Sequence, residues 1–281
     1  MFSYQFMQHA LLACLLASIG CGVIGTYVVV KRVGLMAGGI AHTVLAGMGA
    51  AYFYGASPML GAIIVAIVSA LLIGLIKLHW RQDEDILIAA FWSVGMAIGI
   101  MYISRTEGYG VDLMSYLFGN ILLVSGRDLV FMLVLDLTII AVVALFYKQF
   151  QAMAFDEEYA SLRNVHVELI YLIMLCLVAL TVVLLINIVG LILIIALLVL
   201  PAASAALFSA SVGRMMILSV LLCMAITVSG LILSYQPDLP SGSTIVVLAG
   251  FVYALSILIN RGMNIIRKHS FTRSQETEDR I

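Results

Sequence analysis

The chain has 281 residues, 64% of them hydrophobic and only 10% charged, with a formal net charge of -1. A composition this apolar excludes a soluble globular domain; the net charge says nothing about partners, and no nucleic-acid partner is expected. Apolar runs of about 20 residues recur along the whole length, the mark of helices that span a bilayer.

In chain order the candidate spans are Met7 to Val30, Ile40 to Tyr54, Pro58 to Lys77, Asp85 to Ile103 and Asp128 to Phe146. Leu169 to Ile188, Leu191 to Phe208, Met215 to Tyr235 and Thr244 to Ile259 follow. The pattern predicts an all-α integral membrane protein of about nine spanning helices, or eight if one short segment fails to cross. The first span is preceded by no Lys or Arg and followed by no small-residue cleavage site, so it reads as a retained helix and not a signal peptide. Residues 1–263 form the expected transmembrane domain. The charged, polar stretch 264–281 is expected to be a disordered cytoplasmic tail.

With the N-terminus outside and nine alternating spans, the inner side receives twelve of the 14 basic residues, from Lys31 and Arg32 to Arg273 and Arg280, and the outer side only Arg105 and Arg127. That asymmetry follows the positive-inside rule and predicts a C-terminus inside. Between Ile103 and Asp128 the apolar part, Leu113 to Val124, is too short to cross and reads as a re-entrant or interfacial helix.

The second span carries the most unusual chemistry. In VGLMAGGIAHTVLAGMGAAYFY, His42 follows two glycines, Gly38 and Gly39, and lies about 18 Å below the outer surface, near the midplane. An ionisable residue at that depth tends to face a bundle interior or a pathway. Neutral imidazole is a common ligand for borderline divalent metals; a hydrogen bond to a neighbouring helix is the competing reading. The span is short, and the glycines predict that it continues inward as a bent or broken helix. Gly95 and Gly99 form a GxxxG suited to close helix packing, and Pro201 predicts a kink in the seventh span.

Asp136, in FMLVLDLTII, is the only acid deep inside a span, roughly 12 Å from the outer end. A carboxylate there pairs, binds a cation or stays protonated. Together, His42 and Asp136 would make an N/O site suited to a divalent transition metal. Asn120 and Asn187 are weaker pathway candidates. All four cysteines (Cys14, Cys21, Cys176, Cys223) lie in apolar spans without CxxC spacing, which points to packing.

The longest inner connection is QFQAMAFDEEYASLRNVHVE. Asp156, Glu157 and Glu158 before Tyr159 predict a short helix with acids at its positive end, either a solvated loop element or a docking element for a soluble partner. No GxxxxGK[ST] loop occurs, so the chain is not expected to hydrolyse ATP. HExxH and GxSxG are also absent, so embedded hydrolysis has no visible machinery and an enzyme is not expected.

Four stretches in order carry a resemblance over nearly the whole chain: GVIGTYVVVKRVGLMAGGIAH, FDEEYASLRNV, VGLILIIALLVLPAASA and PDLPSGSTIVVLAG. The chain resembles the membrane permease subunit of zinc/manganese/iron-type ABC importers. That resemblance implies a cobalamin-importer-like (type II) permease fold, working as a homodimer in the bacterial cytoplasmic membrane. It implies two partners, a cytosolic ABC ATPase and an extracytoplasmic metal-binding protein. No cofactor is held permanently, and the cargo is a divalent metal, zinc or manganese or iron. By the same resemblance Phe155 to Asn164, with Phe155, Asp156, Glu157 and Tyr159, is the segment that docks on the ATPase. In many members an acid stands four residues before the pathway histidine. Here that position is Gly38, as in a GG-I-S/A-H variant of the family, and on our reading Asp136 is the candidate to supply the carboxylate. The alternative is a same-fold permease for a metal chelate such as a siderophore or corrinoid; a more distant one is a transporter or intramembrane enzyme that needs no ATPase.

Overall fold

A computed structural model of the chain describes residues 4–80, 83–106, 119, 121–163, 165–191, 194–235, 237 and 239–278, with backbone alone at 84, 187–189 and 264–278. Among those residues every regular element is a helix: α1 (Gln5–Val30), α2 (Gly34–Phe53), α3 (Pro58–Trp80), α4 (Glu84–Ile103), α5 (Gly126–Leu145) and α6 (Tyr147–Phe155). The order continues with α7 (Glu157–Leu162), α8 (Val167–Val189), α9 (Ile194–Ala206), α10 (Val212–Tyr235) and α11 (Ser241–Glu278).

Eight of these helices are long and apolar enough to cross a membrane, and α9 is a shorter apolar helix. The lower of the two expected span counts is therefore met by length, and all nine apolar segments are helical. The ninth is short because α8 ends at Gly190, whose φ of 76° and ψ of 167° belong to a region almost restricted to glycine. At 13 residues, α9 reaches about 20 Å, less than the bilayer core. Pro201 lies inside α9, where it removes one backbone donor.

Helices α1, α2 and α8 are the inner elements, whereas α4, α5 and α11 leave most of their surface outward. The outward surface is large and apolar, as with Ile64, Val94 and Val247, which suits contact with lipid or another apolar protein face. α2 packs between α3 and α4, and α1 lies against α10, α9, α5 and α8.

Small residues set these distances. A Cβ at Gly47 of α2 would stand 2.2 Å from the Gly61 carbonyl of α3, and one at Gly95 of α4 would stand 2.6 Å from the Thr43 Cα of α2. The GxxxG of α4 thus serves packing within the chain, where each glycine admits a neighbouring backbone.

One expectation changes. α2 is unbroken from Gly34 to Phe53, straight through Gly38 and Gly39. The low helix propensity of glycine is overridden by packing, because Ile195 of α9 presses on Gly38 and Ile88 of α4 on Gly39. The backbone of α11 continues as helix to Glu278, and 279–281 lie outside the described residues. Of the expected re-entrant segment, residues 113–118 and 120 lie outside the described residues. What is described there is a single 3-10 turn, Ile121–Leu123.

Candidate functional site

The site begins at a tight turn. α1 ends at Val30 and α2 starts at Gly34, so three residues reverse the chain. The Val33 amide donates to the Val28 carbonyl at 3.0 Å and the Arg32 amide to the Val29 carbonyl at 3.2 Å. This paired bonding closes a helix with a left-handed residue, and Arg32 takes that role with φ 58°, a place where glycine is usual.

From that turn α2 carries His42 to mid-helix, where it is 7% exposed. Its ring lies flat on the indole of Trp92 from α4, with centroids 4.0 Å apart and planes 11° from parallel. The overlay follows from how α4 is seated on α2. The Thr43 hydroxyl lies 2.7 Å from the Gly39 carbonyl and 2.9 Å from the Phe91 carbonyl, tying the residue after His42 to the residue before Trp92. Gly95 then brings α4 against the Thr43 backbone. No hydrogen bond reaches His42 among the described residues, and neither of its ring nitrogens is a fully buried unpaired atom. The imidazole is therefore covered on one face and unclaimed at its edge. A separate apolar cavity of about 350 Å³ is lined by Thr43, Ala46, Val65, Phe91, Val94 and Ile98, without His42 or Trp92.

Gly38, one turn before His42, is closed off. A Cβ there would stand 2.4 Å from Ile195 Cδ1 of α9 and 3.8 Å from Trp92. Gly39 faces Ile88 of α4, with 2.8 Å to its Cγ2.

Asp136 sits elsewhere. It is 2% exposed on α5, against Gly20 of α1, where a Cβ would stand 2.9 Å from its Oδ1. The same point is 3.7 Å from Thr181 of α8, but the Thr181 hydroxyl donates to its own helix at Leu177. Both Asp136 oxygens are buried without a hydrogen-bond partner. The structure does not bring His42 and Asp136 together: α2 and α5 share no packed interface. Among the described residues no group of three or more His, Cys, Asp or Glu side chains could hold a metal ion. Asn120 and the side chain of Asn187 lie outside the described residues.

The inner connection forms α6 and α7. Asp156 caps α7, its Oδ1 accepting from the Tyr159 amide at 2.9 Å, and Glu157 and Glu158 occupy the first turn. The short helix with acids at its start is thus present, with Asn164 outside the described residues. Its apolar side chains are open: Phe155 is 70% exposed, Tyr159 49% and Leu162 82%. Lys31, at the end of α1, pairs with Glu157 and donates to the Met153 carbonyl at 3.2 Å. Tyr27 of α1 packs on Phe150 of α6, ring centroids 5.2 Å apart. The segment is therefore fastened to α1 on one side and bare on the other.

A sequence model of the ABC 3 transport family matches residues 3–260. The chain belongs to the ABC 3 transport family. A membrane protein of Synechocystis sp. is 43% identical over 92% of each chain. The manganese transport system membrane protein MntC of Halalkalibacterium halodurans is 33% identical over 95% of this chain and 91% of its own. Among solved structures, PsaBC from Streptococcus pneumoniae in complex with Fab superposes with a TM-score of 0.83 at 30% identity, covering 90% of this chain and 91% of that one. The match is to full-length permeases of the type II importer fold, and the ABC 3 chain is a transport subunit and not an enzyme.

Within this ABC 3 chain, sequence reasoning singled out His42 but missed Trp92 and the role of Lys31. A tryptophan three residues before a GxxxG glycine is the signal that points to Trp92, because that spacing puts it on the glycine face of α4. Lys31 carried no sequence signal beyond its charge, since its partner lies 126 residues away.

Proposed function

We propose that this chain is the membrane-spanning subunit of an ATP-driven importer for a divalent transition-metal ion, manganese or zinc, with His42 on the path of the ion. The observation that carries the reading is the state of His42. A buried imidazole in an inner helix, stacked on one face and hydrogen-bonded to none of the described residues, is an unused ligand for a borderline divalent cation. The full-length likeness to a manganese transport membrane protein supports the same cargo class. The site offers neutral nitrogen and little charge, so binding there is weak enough to release, as passage requires.

Energy comes from outside the chain, which has no phosphate loop. We assign the bare face of α7, with Phe155, Tyr159 and Leu162, to docking on a cytosolic ABC ATPase, with Asp156 and Glu157 shaping the helix. The Lys31–Glu157 pair and the short Lys31-to-Val33 turn would pass movement of that segment to α2. A homodimer in a bacterial inner membrane, N-terminus outside and fed by an extracytoplasmic metal-binding protein, completes the reading; the charge asymmetry supports that orientation. Asp136 is a second buried ionisable group, and in this conformation it does not share a site with His42.

The deciding experiment is uptake of Mn²⁺ and Zn²⁺ by vesicles holding the permease with its ATPase, with and without ATP. ATP-dependent uptake that is lost in His42→Ala, at normal expression and ATPase binding, is the expected result. Normal uptake by His42→Ala removes His42 from the path. A second arm takes Tyr159→Ala, expected to weaken ATPase capture while insertion is unchanged; full capture removes the docking assignment.

A further inference from the structure

Trp92 is half-buried on α4, and its indole lies near-parallel to the His42 ring with centroids 4.0 Å apart, one of the stacked arrangements that aromatic rings favour. The overlay is fixed from both helices. The Thr43 hydroxyl lies 2.9 Å from the Phe91 carbonyl, and Gly95 lets α4 approach so closely that a Cβ would stand 2.6 Å from the Thr43 Cα. His42 and Trp92 are each adjacent in sequence to one of those tied residues, so the two ring-bearing positions are held in register.

Trp92 also reaches the turn before. The space in front of Gly38 is held by Ile195, with Trp92 Cζ3 3.8 Å from where a Cβ would be. One indole therefore covers the His42 face and borders the position where a second side-chain ligand on the same face of α2 would stand. With Asp136 packed on α1 instead, no carboxylate among those described supports His42 from α2 or from α5. What faces the imidazole is the electron-rich surface of an indole.

When a metal ion binds an imidazole nitrogen, positive charge spreads into the ring, and an aromatic face laid over it attracts that charge. The same overlay holds the ring plane, which limits the orientations that the nitrogen edge can take before the ion arrives. We infer that Trp92 is the positioning residue of the His42 metal site: its indole face orients the imidazole and stabilises its metal-bound form. The inference rests on the metal-import reading.

The test uses the full importer in vesicles and compares Trp92→Phe and Trp92→Leu with the parent. Trp92→Leu is expected to raise KM for Mn²⁺ by roughly threefold to thirtyfold, with the maximal rate changed less, and Trp92→Phe to recover most of the loss. A spectroscopic arm uses the scarcity of tryptophan, since the chain has only Trp80 and Trp92. In a Trp80→Phe background the emission of Trp92 is expected to be quenched by Co²⁺ and Mn²⁺, which are paramagnetic, and not by Mg²⁺, and the quenching to vanish with His42→Ala. A KM for Trp92→Leu within twofold of the parent, or emission indifferent to Co²⁺ at concentrations that block Mn²⁺ uptake, overturns the assignment. The two readings fail separately. Normal import by His42→Ala sinks the pathway reading, whereas an inactive His42→Ala beside a kinetically normal Trp92→Leu sinks Trp92 alone.

Discussion

His42 and Asp136 are both ionisable, both inside spanning helices and both buried, yet their surroundings are opposite. Around His42, glycines draw α3 and α4 onto α2, an aromatic ring covers one face, and no hydrogen bond from the described residues claims the ring edge. Around Asp136, α1 and α8 close in until both oxygens are buried, with no hydrogen bond completed to either among the described residues. Depth in the membrane does not separate the two groups; access does. An exchangeable ligand needs an open edge, which His42 has. A sealed, unpartnered carboxyl is a group that another conformation would have to open before any ion reached it.

The largest expected effect tests the open side. His42→Ala should lower Mn²⁺ or Zn²⁺ uptake at least about tenfold, the order expected when a ligand worth more than 1.4 kcal/mol is removed. The measurement is initial uptake rate normalised to membrane expression. Retained uptake would make the two regions equivalent and end the comparison.

Next comes the seam that produces the stack. Gly95→Ala places a methyl 2.6 Å from the Thr43 Cα, against backbone that has no rotamer to give. Overpacking of this kind costs about 1–3 kcal/mol. A lowered Tm in detergent and a weakened Trp92 quenching by Co²⁺ should appear together; a normal Tm would mean that α4 moves off α2 freely.

Gly20→Ala makes the matching intrusion on the sealed side, 2.9 Å from Asp136 Oδ1. The contact is with a side chain, which can swing, so the loss of stability should be smaller than for Gly95→Ala, about 1 kcal/mol by thermal unfolding. An equal or larger loss would show Asp136 to be held rigidly.

The smallest effect is expected for Asp136→Asn. The amide keeps the volume, so uptake should stay within about twofold and the Tm nearly unchanged. Loss of uptake at normal expression would place Asp136 on the ion's route after all and erase the contrast.

Much of this arrangement can be read before any coordinates. Apolar length marks all nine helical segments, and counting residues from a span end gives the depth of His42 and Asp136, because rise per residue is constant. What counting cannot supply is azimuth. Whether two residues at similar depth face one another depends on which helices are neighbours, and that is set by long-range packing. Thus the N/O pair suggested by depth is not formed. Gly38 and Gly39 misled in a related way: propensity argues for a break, while contacts from Ile195 and Ile88 keep the helix intact. Trp92 hides among apolar residues, and only the glycine spacing on its own helix betrays the face it lies on. The acid-rich start of α7, by contrast, was legible, because capping is a local matter of three residues.

The hydrogen bond between Ser18 and Thr227 has a consequence for the order in which the chain is put together. Its partners are 209 residues apart, and α1 as a whole packs on α10. α2, α3 and α4, by contrast, complete their mutual seams within 70 residues of each other in sequence. As synthesis proceeds from the N-terminus, the helices around His42 can close on one another while α1 still lacks its main neighbour. Ser18 is provided for in the interval, since its hydroxyl donates to the Cys14 carbonyl of its own helix at 2.6 Å. α1 is therefore the first helix made but gains its main neighbour only once α10 has followed, and the docking of α10 onto it is a late, non-local step of assembly.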